Sequence, residues 1–142
     1  MIGHLEKTVI DCPDPRALAE FYCRVLGMRI SEDIDGWVVI GVEAGLRQLA
    51  FQRVTEWVRP RWPDPAYPQQ LHLDIRVGDA DQAEQELLAL GATRVRGERE
   101  TGFRVFTDPP VTRSASSSAT TAPAEPLSAH AAPRMELAAG PG

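Results

Sequence analysis

His72 and Asp74 are the pair whose types and spacing could carry acid–base chemistry in this chain. An imidazole titrates near neutral pH, and a carboxylate beside it can orient it or stabilise its protonated form. On a strand, residues two apart point to one face with Cα atoms about 6.6–6.8 Å apart. A hydrolytic triad is not evident, because the serines cluster near the C-terminus, as in Ser116-Ser117-Ser118. There is no glycine-rich phosphate loop. The pair is therefore read as binding residues before catalytic ones, and a histidine hydrogen-bonded to a strand neighbour is the other reading of His72. His4 and His130 lack partners of this kind.

Binding chemistry is suggested elsewhere. Gln48, Ala50 and Gln52 share one face of a strand by alternation. Trp37 lies on a strand, and Trp57 and Trp62 lie in a proline-rich stretch. Tryptophans with a few fixed polar groups suit a planar or aromatic ligand. Core packing is the competing reading of Trp37, and a domain or dimer seam that of Trp57 and Trp62. Cys12 and Cys23 are read as free thiols, with Cys23 packed on a helix.

Those residues need elements to hold them. The chain has 142 residues, 43% hydrophobic and 25% charged, which suits one soluble domain. Its net charge of -5 argues against nucleic acid as a partner. No stretch reaches the roughly 20 apolar residues of a membrane span. Met1-Ile2-Gly3-His4 lacks the regions of a signal peptide, so a cytoplasmic location is expected.

Residues 1–108 divide into similar halves, about 1–55 and 69–108. Each begins with an extended run, Leu5 to Cys12 or Leu71 to Val77, and reaches a helix-capping aspartate, Asp14 or Asp79. Pro15 fits the first helical position, and Gln82 completes a capping-box pattern with Asp79. Leu18, Phe21, Tyr22, Val25 and Leu26 make one apolar stripe; Ala83, Leu87, Leu88 and Leu90 make the other. Both helices end at Leu-Gly, at Gly27 and Gly91. Strands are predicted at Met28–Glu32, Trp37–Val42, Gln48–Arg53, Thr93–Arg96 and Phe103–Thr107, with Asp35-Gly36 as a hairpin turn. The pattern is β-α-β-β-β, then β-α-β-β. The linker Trp57-Val58-Arg59-Pro60-Arg61-Trp62-Pro63-Asp64-Pro65 should be extended. Residues 109–142 are rich in Ala, Ser, Thr and Pro, and are expected to be a disordered tail. Leu71, Leu73, Ile75 and Val77 should face the second helix; Gln70, His72, Asp74 and Arg76 should face away from it.

This doubled unit resembles the vicinal-oxygen-chelate superfamily of glyoxalases, bleomycin-resistance proteins and dioxygenases. The residues that carry the resemblance are Asp14-Pro15-Arg16-Ala17-Leu18-Ala19-Glu20-Phe21-Tyr22, Val25-Leu26-Gly27-Met28 and Gln70-Leu71-His72-Leu73-Asp74. Pro60-Arg61-Trp62-Pro63-Asp64-Pro65 looks like that of an actinobacterial subgroup. The resemblance implies an α+β fold in which two βαβββ modules form a curled, cup-like mixed sheet, helices outside and a ligand cavity inside. Arg104 and Phe106 are then expected to line the second half of the cup, with packing or solvation as the other reading.

The resemblance also implies the ending Asp-Pro-Ala-Gly-His-Pro-Phe-Cys-Leu, whose last residues form the final strand. This chain has Asp108-Pro109-Pro110-Val111-Thr112-Arg113-Ser114-Ala115-Ser116 instead. One back-translation of the family ending is GAC CCG GCC GGT CAC CCG TTC TGC CTC. Loss of a single G turns it into codons for Asp-Pro-Pro-Val-Thr-Arg-Ser-Ala and the start of a serine codon. The tail therefore reads as a frameshift that removes the last strand of the second module; an unrelated natural tail is the other reading.

Metal-dependent members of the superfamily place His, Glu or Gln at four slots, on the first and fourth strands of each half. The first slots fall at Lys7 and His72, each seven residues before its capping aspartate. The third falls near Ala50, with Gln52 the nearest polar residue on that face, and the last belongs to the absent strand. A protonated lysine has no lone pair to give a metal, and zinc sites use three protein ligands or more. No cofactor is expected, with His72 the one candidate ligand should a divalent metal (Zn, Ni, Mn or Fe) be used.

The expectation is a metal-independent binding protein that holds an aromatic or planar metabolite or antibiotic through Lys7, Trp37, Gln52, Trp62, His72, Asp74 and Arg104. The alternatives are a metal-dependent lyase, isomerase or dioxygenase, and an inactive degenerate copy. A homodimer is expected, because a missing strand bares its neighbour's edge.

Overall fold

The computed structural model describes residues 1–43, 45–61, 64–69, 71–95, 103–109 and 134–138. The fold is α+β. In chain order it runs β1 (Thr8–Cys12), α1 (Pro15–Leu26), β2 (Arg29–Ile34), β3 (Trp37–Gly41), β4 (Leu49–Arg53), β5 (His72–Arg76), α2 (Ala80–Ala89), β6 (Thr93–Val95), β7 (Phe103–Thr107) and β8 (Arg134–Ala138). Two compact units divide between Trp57 and Val58.

The first unit is a four-stranded sheet in the order β1-β4-β3-β2, with β1 parallel to β4 and the other pairs antiparallel. Asp14 caps α1 by accepting from Ala17 N–H at 3.1 Å, and Pro15 follows where no N–H is needed. The helix stops at Gly27, whose φ of 66° is left-handed. Asp35 and Gly36 both have positive φ, as the tight β2–β3 hairpin requires. The core lies between α1 and the sheet. Leu18, Ala19, Phe21 and Tyr22 are buried from the helix side, and Tyr22 stacks on the fully buried Phe51 with ring centroids 5.5 Å apart. Side chains of this kind each stabilise by about 1.5–3 kcal/mol on burial.

The second unit holds β5-β8-β7-β6 in that order. Asp79 accepts from both Asp81 N–H (2.8 Å) and Gln82 N–H (3.0 Å). Gln82 does not reach back as a capping box would; its amide donates to Glu86 one turn on, at 2.8 Å. Leu87 is the buried residue of α2, while Leu88, placed on the apolar stripe by periodicity, is 45% exposed.

Two expectations are corrected here. The last strand of the second module is not missing: β8 pairs with both β5 and β7, so both of its neighbours are partnered. The alternation of Met135 and Leu137 with Arg134 and Glu136 is a period-2 pattern, hidden in the sequence by its shortness and by the Ala-, Ser- and Pro-rich run before it. The rest of the expected tail, residues 110–133 and 139–142, lies outside the described residues. The linker is not simply extended either. Arg61 N–H donates to Tyr67 C=O at 2.8 Å, and the Asp64 carboxylate accepts from Ala66 N–H at 2.9 Å. Arg61 also sits over the Tyr67 ring, 4.5 Å from its centroid. An Asx turn and a cation–π contact fold this stretch back.

Asp14→Ala is expected to lower stability by about 1 kcal/mol in urea unfolding. The two N–H bonds hold the Asp79 carboxyl below its usual pKa, Gln82 contributing more than Asp81. Such a group stabilises the fold above the ordinary carboxylate range and loses that effect as pH falls through its lowered pKa. The urea midpoint should therefore fall less on acidification for Asp79→Asn than for the unchanged protein.

Candidate functional site

Each sheet has a helix on one face, so the chemistry must be sought on the other. In the first unit the faces are sorted by register. Phe51 meets Tyr22 of α1, so Phe51 and its partner Val38 face the helix. Their neighbours Gln52, Trp37, Ala50 and Val39 face away. On β1, Asp11 lies opposite Gln52 and Val9 opposite Ala50. Trp37 and Gln52 are thus direct cross-strand partners, with Asp11 on the far side of Gln52. Trp37 is half-buried, and Gln52 and Asp11 are exposed. An indole face with an amide and a carboxylate in a row can stack a planar group and hydrogen-bond its edge.

Lys7 precedes β1, and its side chain is 14% exposed. Its ammonium donates to the Glu6 carboxylate at 2.7 Å. That bond, followed by the charge of Lys7 itself, holds the Glu6 carboxyl below its usual range. Arg47 lies 3.8 Å from the same Glu6 oxygen and also pairs with Glu32.

In the second unit, His72, Asp74 and Arg76 are exposed while Leu73 and Ile75 are half-buried. The expected alternation of β5 is what the structure has. Across β8, the register aligns His72 with Ala138 and Thr107, and Asp74 with Glu136 and Val105.

Arg104 is not on that face. Its guanidinium donates to Ala80 C=O at 2.7 Å and to Asp81 at 2.5 Å, and lies 3.0 Å from Glu84. All three belong to the N-terminal half of α2. Arg104 and Phe106 alternate with Phe103, Val105 and Thr107, so these two lie on the helix side and the other three on the face of His72 and Asp74. Phe106 is fully buried there, with Arg94 over its ring at 5.1 Å. The sequence could not signal this, because an arginine next to a half-buried strand reads equally well on either face. Trp62 lies outside the described residues. Cys12 is buried, and burial pushes the Cys23 thiol up, with Glu20 adding to it and Arg16 opposing, so Cys23 is not an activated thiolate.

A family model of the glyoxalase-like domain matches residues 7–111. The chain belongs to the glyoxalase-like domain family. Among solved structures, this glyoxalase-like chain is similar to protein ATC0852 from Agrobacterium tumefaciens, at 17% identity and a TM-score of 0.52, over 99% of this chain and 100% of that one. It is also similar to the trypanothione-dependent glyoxalase I of Leishmania major, at 16% identity and a TM-score of 0.50, over 96% of this chain and 86% of that one. At these identities the likeness concerns the fold alone. No curated protein matches the chain.

The residues at the metal slots of such a fold do not fit a divalent cation. Lys7 brings a positive charge already hydrogen-bonded to Glu6. Ala50 offers a buried methyl group and no donor. His72 supplies one imidazole, and β8 brings Glu136 to the register position of the fourth slot. With Lys7 and Ala50 at two of the four slots, the slot residues themselves do not supply the three protein ligands of an ordinary zinc site. Among the described residues, no group of three His, Cys, Asp or Glu could hold a metal ion.

Arg104→Leu should destabilise the protein by about 1–2 kcal/mol in urea unfolding, because it strips α2 of a charged partner. Ligand binding on the sheet faces away from the helices should be unchanged, which titration of the same variant checks.

Proposed function

We propose that this glyoxalase-like protein binds an aromatic or planar small molecule on the faces of its sheets that point away from the helices, without a metal. The supporting observation is the Trp37–Gln52–Asp11 row across β3, β4 and β1. A planar ligand stacks on the indole, while the amide and carboxylate bond its polar edge. Lys7, four residues before Asp11 and paired with Glu6, supplies the cation just before the same strand and favours a ligand with an acidic group. His72 and Asp74 are the corresponding polar residues of the second sheet. Lys7 and Ala50 at the metal slots support metal independence. A cytoplasmic location belongs to the same proposal; among the described residues, no helix is long and apolar enough to cross a membrane. The expectation of a homodimer loses its ground, because β8 partners both strand edges that were to be bare.

One observation favours a second reading. Glu136 faces Asp74 in the register, one alternation from His72. A metal-dependent lyase or dioxygenase would draw on that pair and on ligands from elsewhere in the chain. The ending itself is read as a one-base frameshift. The family match stops at residue 111, and β8 runs against the direction of its counterpart β4. Resequencing the gene tests this: a frame that cannot be restored to a family-like ending removes the idea.

A thermal-shift screen of chelator-treated protein against planar aromatic acids and aromatic antibiotics should yield a stabilising ligand. Trp37→Ala should weaken that ligand by about tenfold or more, the loss of roughly 1.4 kcal/mol or more of stacking and area. Stabilisation that appears only after a divalent metal is added back would favour the second reading.

A further inference from the structure

In the first unit, the place between β1 and β3 is taken by β4, parallel to β1 and antiparallel to β3. In the second unit, the matching place between β5 and β7 is taken by β8, antiparallel to β5 and parallel to β7. The outer pairs agree, since β2–β3 and β6–β7 are both antiparallel. Only the inserted strand is reversed. The connection explains how: β3 reaches β4 through residues 42–48, whereas parallel neighbours such as β7 and β8 need a crossover of about a dozen residues or more. Residues 108–133 separate β7 from β8 in the sequence, a stretch long enough for one.

The register adds a second mismatch. It sets Glu136 opposite Asp74 and Arg134 opposite Arg76. Directly opposed residues of an antiparallel pair are near neighbours, and like charges there are destabilising. So β8 completes the backbone ladder of this place in the reverse direction, with an acidic residue in register with Asp74 and a basic one in register with Arg76.

We infer that the place between β5 and β7 is a strand-accepting groove for an extended peptide running parallel to β5, with β8 its displaceable occupant. Such a peptide bonds two strands at once, where an ordinary sheet edge offers only one. It carries apolar residues at alternate positions, to join the layer of Leu73, Ile75 and Phe106, and no acidic residue beside Asp74. The chain contains a segment with this pattern in residues 47–54, which include β4. Aligned by the capping aspartates Asp14 and Asp79, a strand of that sequence sets Leu49 and Phe51 beside Leu73 and Ile75. It sets Ala50 beside Asp74 and Gln52 beside Arg76.

The probe is a fluorescein-labelled peptide of residues 47–54, titrated by anisotropy into three full-length proteins. Met135→Pro/Leu137→Pro, which blocks β8, should bind it at least tenfold more tightly than the unchanged chain. Glu136→Lys, which puts an opposite charge across from Asp74, should bind it more weakly than the unchanged chain. A nitroxide on the peptide N-terminus should broaden the amide of His72 more than that of Arg76. Should the proline variant fail to fold, hydrogen exchange on the unchanged chain decides, with β8 amides expected to exchange at least tenfold faster than those of β4. No binding by a folded proline variant would overturn the inference. So would equal affinities across the three proteins, broadening centred on Arg76, or β8 protected as well as β4. Self-association of the proline variant without peptide binding would assign the groove to a second copy, and would overturn it equally.

Discussion

Both units depend on one constraint: a helix packed on one face of a four-stranded sheet forces every second strand residue outward. In the first unit the contact is apolar, with Tyr22 of α1 stacked on Phe51 of β4 over a layer of buried Val38 and Ile40. In the second it is partly ionic, with Arg104 of β7 bound to Ala80 and Asp81 at the start of α2. Once these contacts are set, the alternation leaves no freedom. Trp37, Gln52 and Asp11 must share the face of one sheet that points away from its helix, and His72, Asp74 and Arg76 that of the other. The polar chemistry of this chain is arranged by the packing on the opposite side.

That constraint explains which parts were legible in the sequence. Capping aspartates, Pro15, and the Leu-Gly helix ends are local signals with local causes, and the helices begin and end where those signals place them. The period-2 pattern of β5 sorted its residues correctly, because leucine and isoleucine alternate with charged residues there. Arg104 was misplaced because β7 is buried on both faces over much of its length, so its pattern carries no polarity. Its partner is a helix terminus that only the tertiary fold brings near. β8 was missed for a different reason: five residues of weak alternation far along the chain carry too little signal to be told from the run before them.

The two sheets also show how far a repeated sequence determines a repeated structure. Strands β1 and β5, the helices, and the two outer strands match between the units. The fourth strand does not, since its direction is set by the length of the connection and not by the sheet that receives it. The backbone ladder accepts either direction, and side-chain register then decides how well the strand fits. The second sheet is therefore closed by a strand that runs opposite to its counterpart in the first.

Lys7 and Ala50 bear on the chemistry of the chain. Where a metal-dependent relative would offer ligands, this protein offers a lysine already paired to Glu6 and a buried alanine. What remains is a surface suited to stacking and hydrogen bonding. The central claim is binding without metal, and calorimetric titration of Zn, Ni, Mn and Fe(II) into chelator-treated protein tests it most directly. The account predicts no saturable binding near one equivalent. One equivalent bound tightly, and lost in His72→Ala, would contradict it.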